Sequence, residues 1–260
     1  MKWRPTSVKS LRALGRTEMP ASIVADDGKR YDRLEIFKHD FFAATGLYES
    51  ADAKVVLKMG RTADFLGLPM RWLGEFLTTR EVRLYRMLDR HAGVPNFVAT
   101  IGKAGFLHEF VEGHSLQKRE SVPDTFFPQL ETLLNEIHDR NVAYVDMEKC
   151  GNILVGADGR PYLVDFQISW HVPDRWGGRI GPAKWICKLL QASDRYHFLK
   201  HHRRTRPDQL TPEQLERSYR PPFYIGIHRW IARPFTLLRR RTLQRLHRAE
   251  KARHAHALHE

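Results

Sequence analysis

The chain has 260 residues, 42% of them hydrophobic and 28% charged, which excludes a collagen-like, low-complexity or polytopic membrane protein and leaves room for one sizeable domain or two small ones. Two cysteines, Cys150 and Cys187, cannot build a disulfide framework; with no apolar core of signal-peptide length near the start, they point to a reducing, cytoplasmic compartment. The formal charge of +13 is uneven, because residues 195–260 hold 16 Lys and Arg against 5 Asp and Glu, so a nearly neutral body carries a basic tail.

After an extension over residues 1–20, alternating apolar and β-branched runs predict strands at 22–25, 31–37, 41–47 and 53–58, separated by short polar breaks. That pattern is an antiparallel meander. A helix follows at 71–90, with Leu77, Leu84, Tyr85 and Leu88 on one stripe, and Gly93-Val94-Pro95 stops it. Strands are expected at 97–101 and 106–110, after which sheet structure ends at Glu112-Gly113. Pro123-Asp124 opens a helix carrying Phe126, Leu133, Leu134 and Ile137 on one face. Gly156-Ala-Asp-Gly159 then joins two short strands, 153–155 and 162–164, in a hairpin. Helices fill the remainder from 183 to 200, around 211–218 and beyond 223. The chain is thus α+β, with a β-rich lobe over 21–110, a helical lobe over 111–206 and a basic tail over 207–260.

Two groups of residues carry chemistry. Glu81 falls between Leu84 and Tyr85 on the apolar stripe of its helix, and a buried carboxylate needs a partner. Lys58, at the end of Val55-Val-Leu, would supply the opposite charge, as a structural ion pair or as part of a site. The second group is Asp146 with Asn152 six residues on, then Asp165 after the hairpin. Two carboxylates and an amide around one β pair suit phosphoryl transfer: one carboxylate accepts a hydroxyl proton, and an oxygen-bearing pair holds magnesium against phosphates.

At this point the chain resembles the protein-kinase-like superfamily. Val55-Val-Leu-Lys58 is similar to its ATP-lysine strand, Glu81-Val-Arg-Leu84 to its helix glutamate, and His108-Glu-Phe-Val-Glu-Gly113 to its hinge. Ile137-His-Asp-Arg-Asn-Val-Ala-Tyr-Val-Asp146 through Asn152 resembles the catalytic loop, and Val164-Asp165-Phe166 the magnesium motif. The resemblance implies a two-lobe fold using ATP and Mg2+. It implies Asp146 as catalytic base, Asn152 and Asp165 as metal ligands, and Lys58 on the α- and β-phosphates, oriented by Glu81. The backbone of Glu109 and Val111 would face adenine, His108 would form the back wall, and Val56 and Leu154 would sandwich the ring.

The departures from the pattern are also informative. The stretch 40–47 offers one glycine, Gly46, where the family has several. Asp146 and Asn152 are one residue further apart than usual, so the loop must absorb an insertion. Val145 replaces an arginine and Gln167 a glycine, and no Ala-Pro-Glu anchor for a peptide platform follows. A non-protein acceptor is therefore expected. Within the superfamily the chain looks most like the bacterial lipopolysaccharide core kinases, which implies a heptose or Kdo sugar, or a related cell-envelope glycolipid, as acceptor. Two other readings stand beside it: a pseudokinase scaffold with a membrane-binding tail, and a protein Ser/Thr kinase.

In the tail, Phe235, Leu238, Thr242 and Leu246 recur at helical spacing opposite Arg240, Arg241 and Arg248. Such a basic amphipathic helix either lies on an anionic membrane surface, peripherally on the inner face of the cytoplasmic membrane, or docks on the helical lobe. Aromatic interleaving for base stacking is sparse, so no specific nucleic-acid partner is expected. His138 reads as a core histidine, Lys149 as a solvated loop lysine and Cys150 as an inert thiol.

Overall fold

The structure, a computed structural model, describes residues 12–26, 28–65, 67–173 and 181–222. The amphipathic stripe at Phe235, Leu238, Thr242 and Leu246 lies outside these residues. Among the described residues no helix is long and apolar enough to cross a membrane. They form two compact units, one of residues up to 78 with 100–106, the other of 79–99 with 107–222.

In the first unit β1 (Ser22–Val24), β2 (Arg30–His39), β3 (Ala43–Glu49) and β4 (Lys54–Gly60) pair antiparallel in succession, as the alternating pattern predicts. The sheet order is β1-β2-β3-β4-β6-β5, where β5 is Phe97–Ile101 and β6 is Gly105–Glu109. Val55 through Lys58 are all buried, which explains the unbroken Val-Val-Leu run in β4. The β2–β3 turn contains no glycine. Gly46 instead lies within β3, opposite Ile36, and the turn is closed by Asp40, whose Oδ1 accepts the N–H groups of Phe42 and Ala43 at 2.9 Å each. Burial pushes the Asp40 carboxyl up, but Lys38 and these two N–H groups outweigh it and hold the group below its usual range.

Helix α1 spans Arg71–Met87 and stops three residues short of the expected end; Arg90 (φ 58°) and Gly93 (φ 89°) turn the chain back toward β5. Its first turns press on β4. A Cβ on Gly74 would stand 1.9 Å from the Arg61 carbonyl oxygen, and Thr78 Oγ1 donates to the Ala104 carbonyl at 3.2 Å.

The second unit is built around α2 (Phe126–Asp139), which buries Phe126, Phe127, Leu130, Leu133, Leu134 and Ile137 along one face. Its N-cap is Thr125, just after the Pro123-Asp124 pair. The expected hairpin is β9 (Ile153–Gly156) with β10 (Pro161–Leu163), turning through Gly159 at φ 75°. Sheet structure does not end at Gly113. Residues 113–115 form β7 (Gly113–Ser115), a third strand alongside β9, too short to carry a periodic signal. A second short pair, β8 (Val142–Ala143) with β11 (Trp170–His171), also escapes the pattern. Two helices follow, α3 (Pro182–Thr205) and α4 (Pro212–Tyr219), the latter started by a capping box between Thr211 and Gln214.

Candidate active site

Strand β8 delivers the chain to Asp146 through a tight turn in which the Asp146 N–H donates to the Tyr144 carbonyl at 2.9 Å. Asp146 is 7% exposed, and one oxygen, Oδ2, takes two donors: Lys149 Nζ at 2.6 Å and Asn152 Nδ2 at 2.9 Å. The extra residue between Asp146 and Asn152 is absorbed by a bend, with Lys149 N–H on the Asp146 carbonyl, and by a short 3-10 turn at Cys150–Asn152. Asn152 therefore reaches Asp146 despite the longer spacing, with its amide nitrogen facing the carboxylate.

Below the loop, His201 Nε2 lies 2.8 Å from the Met147 carbonyl and its Nδ1 3.5 Å from Cys150 Sγ. The Cys150 thiol is thus a packing partner of α3. Lys149 is bound to Asp146, so it is more than a solvated loop lysine. His138 is a buried core histidine whose Nε2 lies 3.1 Å from Asp194 Oδ2, while its buried Nδ1 has no hydrogen-bond partner.

Asp165 follows directly. The Val164 N–H donates to the Asn152 carbonyl at 3.1 Å, which ties the segment before Asp165 to the end of the loop. The Tyr144 hydroxyl donates to the Val164 carbonyl and lies 3.4 Å from the Asn152 carbonyl. Phe166 is fully buried between Tyr144 and Tyr85, edge-on to each, and Tyr85 stacks on His108 at 5.2 Å. Glu81, one turn ahead of Tyr85 on α1, is 1% exposed. Burial first, and the charges of Glu81 and Asp165 next, raise the Tyr85 phenol well above its ordinary value; burial, Asp165 and Asp146 do the same for Tyr144.

The remaining expected residues are placed as follows. Glu109 ends β6 with its side chain exposed and accepting from Asn96 Nδ2 at 2.8 Å. Val111 and Leu154 are half-buried, on the segment after β6 and on β9. Val56 and Lys58 lie in the first unit on β4, each 7% exposed.

The amide of Asn152 and the carboxylate of Asp165 are hard oxygen donors, the type magnesium takes. Among the described residues no group of three or more His, Cys, Asp and Glu is placed to hold a metal ion.

Asp194, on α3, was not visible as a site residue in the sequence. It is fully buried and accepts the N–H groups of Tyr144 and Val145 at 2.8 Å each. Its signal was present: with Cys187, Phe198 and His201 it lies on the buried face of α3, a carboxylate among inward residues as Glu81 is on α1.

A curled antiparallel sheet, a helix bearing a buried glutamate, and a helical unit with a hydrogen-bonded loop after a short strand make up a protein-kinase-like fold. Solved structures similar to the chain include two of Rio2 kinase from Chaetomium thermophilum. The ADP/Mg2+-phosphoaspartate complex matches with 14% identity and a TM-score of 0.50, over 72% of this chain and 61% of that one. The second matches with 15% identity and a TM-score of 0.50, over 72% and 63%. The chain spans about three fifths of the length of these kinase chains. No protein-family model and no curated protein matches the sequence.

Proposed function

We propose that the chain is an ATP- and magnesium-dependent phosphotransferase acting on a hydroxyl. The observation that carries this is the hydrogen-bonded loop that joins Asp146, Lys149 and Asn152 and is tied through the Asn152 carbonyl to the segment bearing Asp165. Asp146 accepts the acceptor's proton through the oxygen not engaged by Lys149 and Asn152. Lys149, bonded to Asp146, would meet the transferred phosphoryl group. Asn152 and Asp165 would hold magnesium, which when bound neutralises charge on the β- and γ-phosphates. Lys58, Glu81, Val56, Leu154, Glu109 and Val111 keep the nucleotide-binding roles that the resemblance implies for them.

The favoured acceptor is a sugar of lipopolysaccharide or a related envelope glycolipid. Its support is the resemblance together with the missing Ala-Pro-Glu anchor, and the basic tail would bring the enzyme to an anionic membrane surface. Incubation with γ-labelled ATP and separated protein, lipid and polysaccharide fractions tests it. Label in lipid or polysaccharide is expected; label in protein alone would make it a protein kinase. A failure of magnesium-ATP to raise the melting temperature would favour a non-catalytic scaffold.

A further inference from the structure

In the first unit, residues 12–14 bridge the β2–β3 turn and the chain leaving β4. On one side the Ala13 N–H donates to the Asp40 carbonyl at 2.7 Å and the Leu14 N–H to His39 Nε2 at 3.3 Å. On the other, the Ala13 carbonyl accepts the N–H groups of Thr62 and Ala63 at 2.9 and 3.0 Å. Ala13 itself is fully buried. Arg61, 1% exposed, joins the same segments: Nη1 donates to the Phe41 carbonyl at 2.8 Å and lies 3.5 Å from the Arg12 carbonyl, and Nη2 donates to the Asp64 carbonyl at 3.0 Å. Its guanidinium also covers the Phe41 ring at 4.1 Å, and Phe41 packs edge-on against Phe42 and Phe65 at 5.0 Å each. Burying a guanidinium is costly, and an apolar side chain would pack there at less cost. What the arginine adds is a rigid fork of donors.

We infer that residues 12–14 are a strap and Arg61 its post, positioning residues that hold the β2–β3 turn beside Lys58 for the binding of nucleotide phosphates. The inference rests on the phosphotransferase reading. Strand register brings the turn near Lys58, because Ala43 pairs with Gly60 and Thr45 with Lys58. Phe42 is three residues from Thr45, about 10 Å of extended chain. A glycine-rich turn would be free to move and would give Arg61 no ring to cover. Here Phe41 supplies the ring, and Asp40 Oδ1 closes the turn from within by accepting the N–H groups of Phe42 and Ala43. The strap therefore acts through the main chain of the turn rather than on the reacting atoms.

Ala13→Pro removes the N–H that the Asp40 carbonyl accepts, and Arg61→Lys keeps the charge but loses the fork. Two measurements on the full chain decide the matter, and either variant suffices where the other does not fold. Without ligand, amide exchange at Phe42, Ala43, Thr62 and Ala63 should accelerate roughly tenfold, the worth of one hydrogen bond, while Leu133 and Leu134 on α2 keep their wild-type rates. In magnesium-dependent ATP hydrolysis, KM for ATP should rise roughly five- to tenfold and kcat should stay within about twofold, the pattern of lost binding rather than lost chemistry. A merely structural role would lower the melting temperature and leave KM in place. Wild-type exchange at all four amides overturns the strap. Faster exchange with an unchanged KM overturns its part in holding nucleotide. A wild-type chain that hydrolyses no ATP overturns the phosphotransferase reading and the nucleotide role with it, and the exchange rates then still decide whether the strap holds the turn.

Discussion

The Asp194 carboxylate accepts the Val145 N–H at 2.8 Å, and Val145 stands in the left-handed region at φ 70°. A β-branched residue is rarely found there, because its side chain collides with the preceding carbonyl. The fold holds it with a buried carboxylate that also takes the Tyr144 N–H and faces His138 Nε2 at 3.1 Å. Asp146 is the next residue, so the direction of the candidate base is set from α3.

Asp194→Ala should therefore be severe. It strands two buried N–H groups and a histidine, and breaking one side of a buried polar network costs about 3–5 kcal/mol. Asp194→Asn keeps one acceptor oxygen and should lose roughly half as much. Urea unfolding monitored by tryptophan fluorescence gives both values. A loss below about 1 kcal/mol in Asp194→Ala would mean that the turn at Val145 is self-supporting.

Acid should weaken the same helix through its buried histidines. His201 and His202 both have their pKa pulled below the ordinary 6.5, in each case chiefly by burial. Arg204 and Lys200 add to the effect at His201 against Met147 and Glu148; Arg206 adds at His202 against Gln209 and Asp208. The unfolded chain therefore binds protons near pH 6.5 that the native chain refuses. Stability is at its full value above about pH 7 and declines as pH falls through about 6.5 toward the lower native values. Urea midpoints measured from about pH 7.5 down to about pH 5 should fall steadily, and a flat profile over that window would contradict this account.

The sequence made the fold legible wherever burial imposes a period. The β1–β4 meander, the α2 face from Phe126 to Ile137 and the Gly156–Gly159 hairpin all follow from alternation, helical spacing or turn residues. It was silent where two or three residues make a strand, at β7, β8 and β11, since so short a run has no period. In the candidate site, Asp146, Asn152 and Asp165 stood out by residue type and order. Their supports did not. The Tyr144 hydroxyl, bonded to the Val164 carbonyl, leaves no local signal, and Asp194 lies 48 residues beyond Asp146. Side chains that act on a distant main chain leave no local spacing to read.

Close approach of main chains makes a third test. The Arg61 carbonyl oxygen would lie 1.9 Å from a Cβ at Gly74, and its carbonyl carbon and nitrogen 2.7 Å away. These are backbone atoms, so no side chain can move aside. Gly74→Ala must push α1 off the end of β4, and helix propensity, which favours alanine by about 1 kcal/mol, cannot compensate. A net loss of about 2 kcal/mol or more is expected in urea unfolding. A neutral or stabilised variant would show that the two segments are further apart.

The base and its lysine should fail differently. Asp146 combines a nearly complete burial with two donors on a single oxygen, Lys149 Nζ and Asn152 Nδ2 on Oδ2. Asp146→Asn removes the proton acceptor while keeping its shape. It should retain ATP binding and lose phosphoryl transfer, read as slow ATP hydrolysis where the acceptor is missing, by roughly 10²- to 10⁴-fold. Lys149→Met leaves the base and Asn152 in place but removes a partly exposed cation, its side chain 61% accessible, from beside it. Hydrolysis should then fall by about tenfold, since a half-solvated charge stabilises a transition state less than a positioned base does. The ATP-induced thermal shift should be the same in both variants as in wild type. Should Asp146→Asn hydrolyse ATP at the wild-type rate, the base lies elsewhere; should Lys149→Met be as damaged as Asp146→Asn, the lysine is holding the loop together as well as meeting phosphate, and its unfolding curve would show the loss of stability.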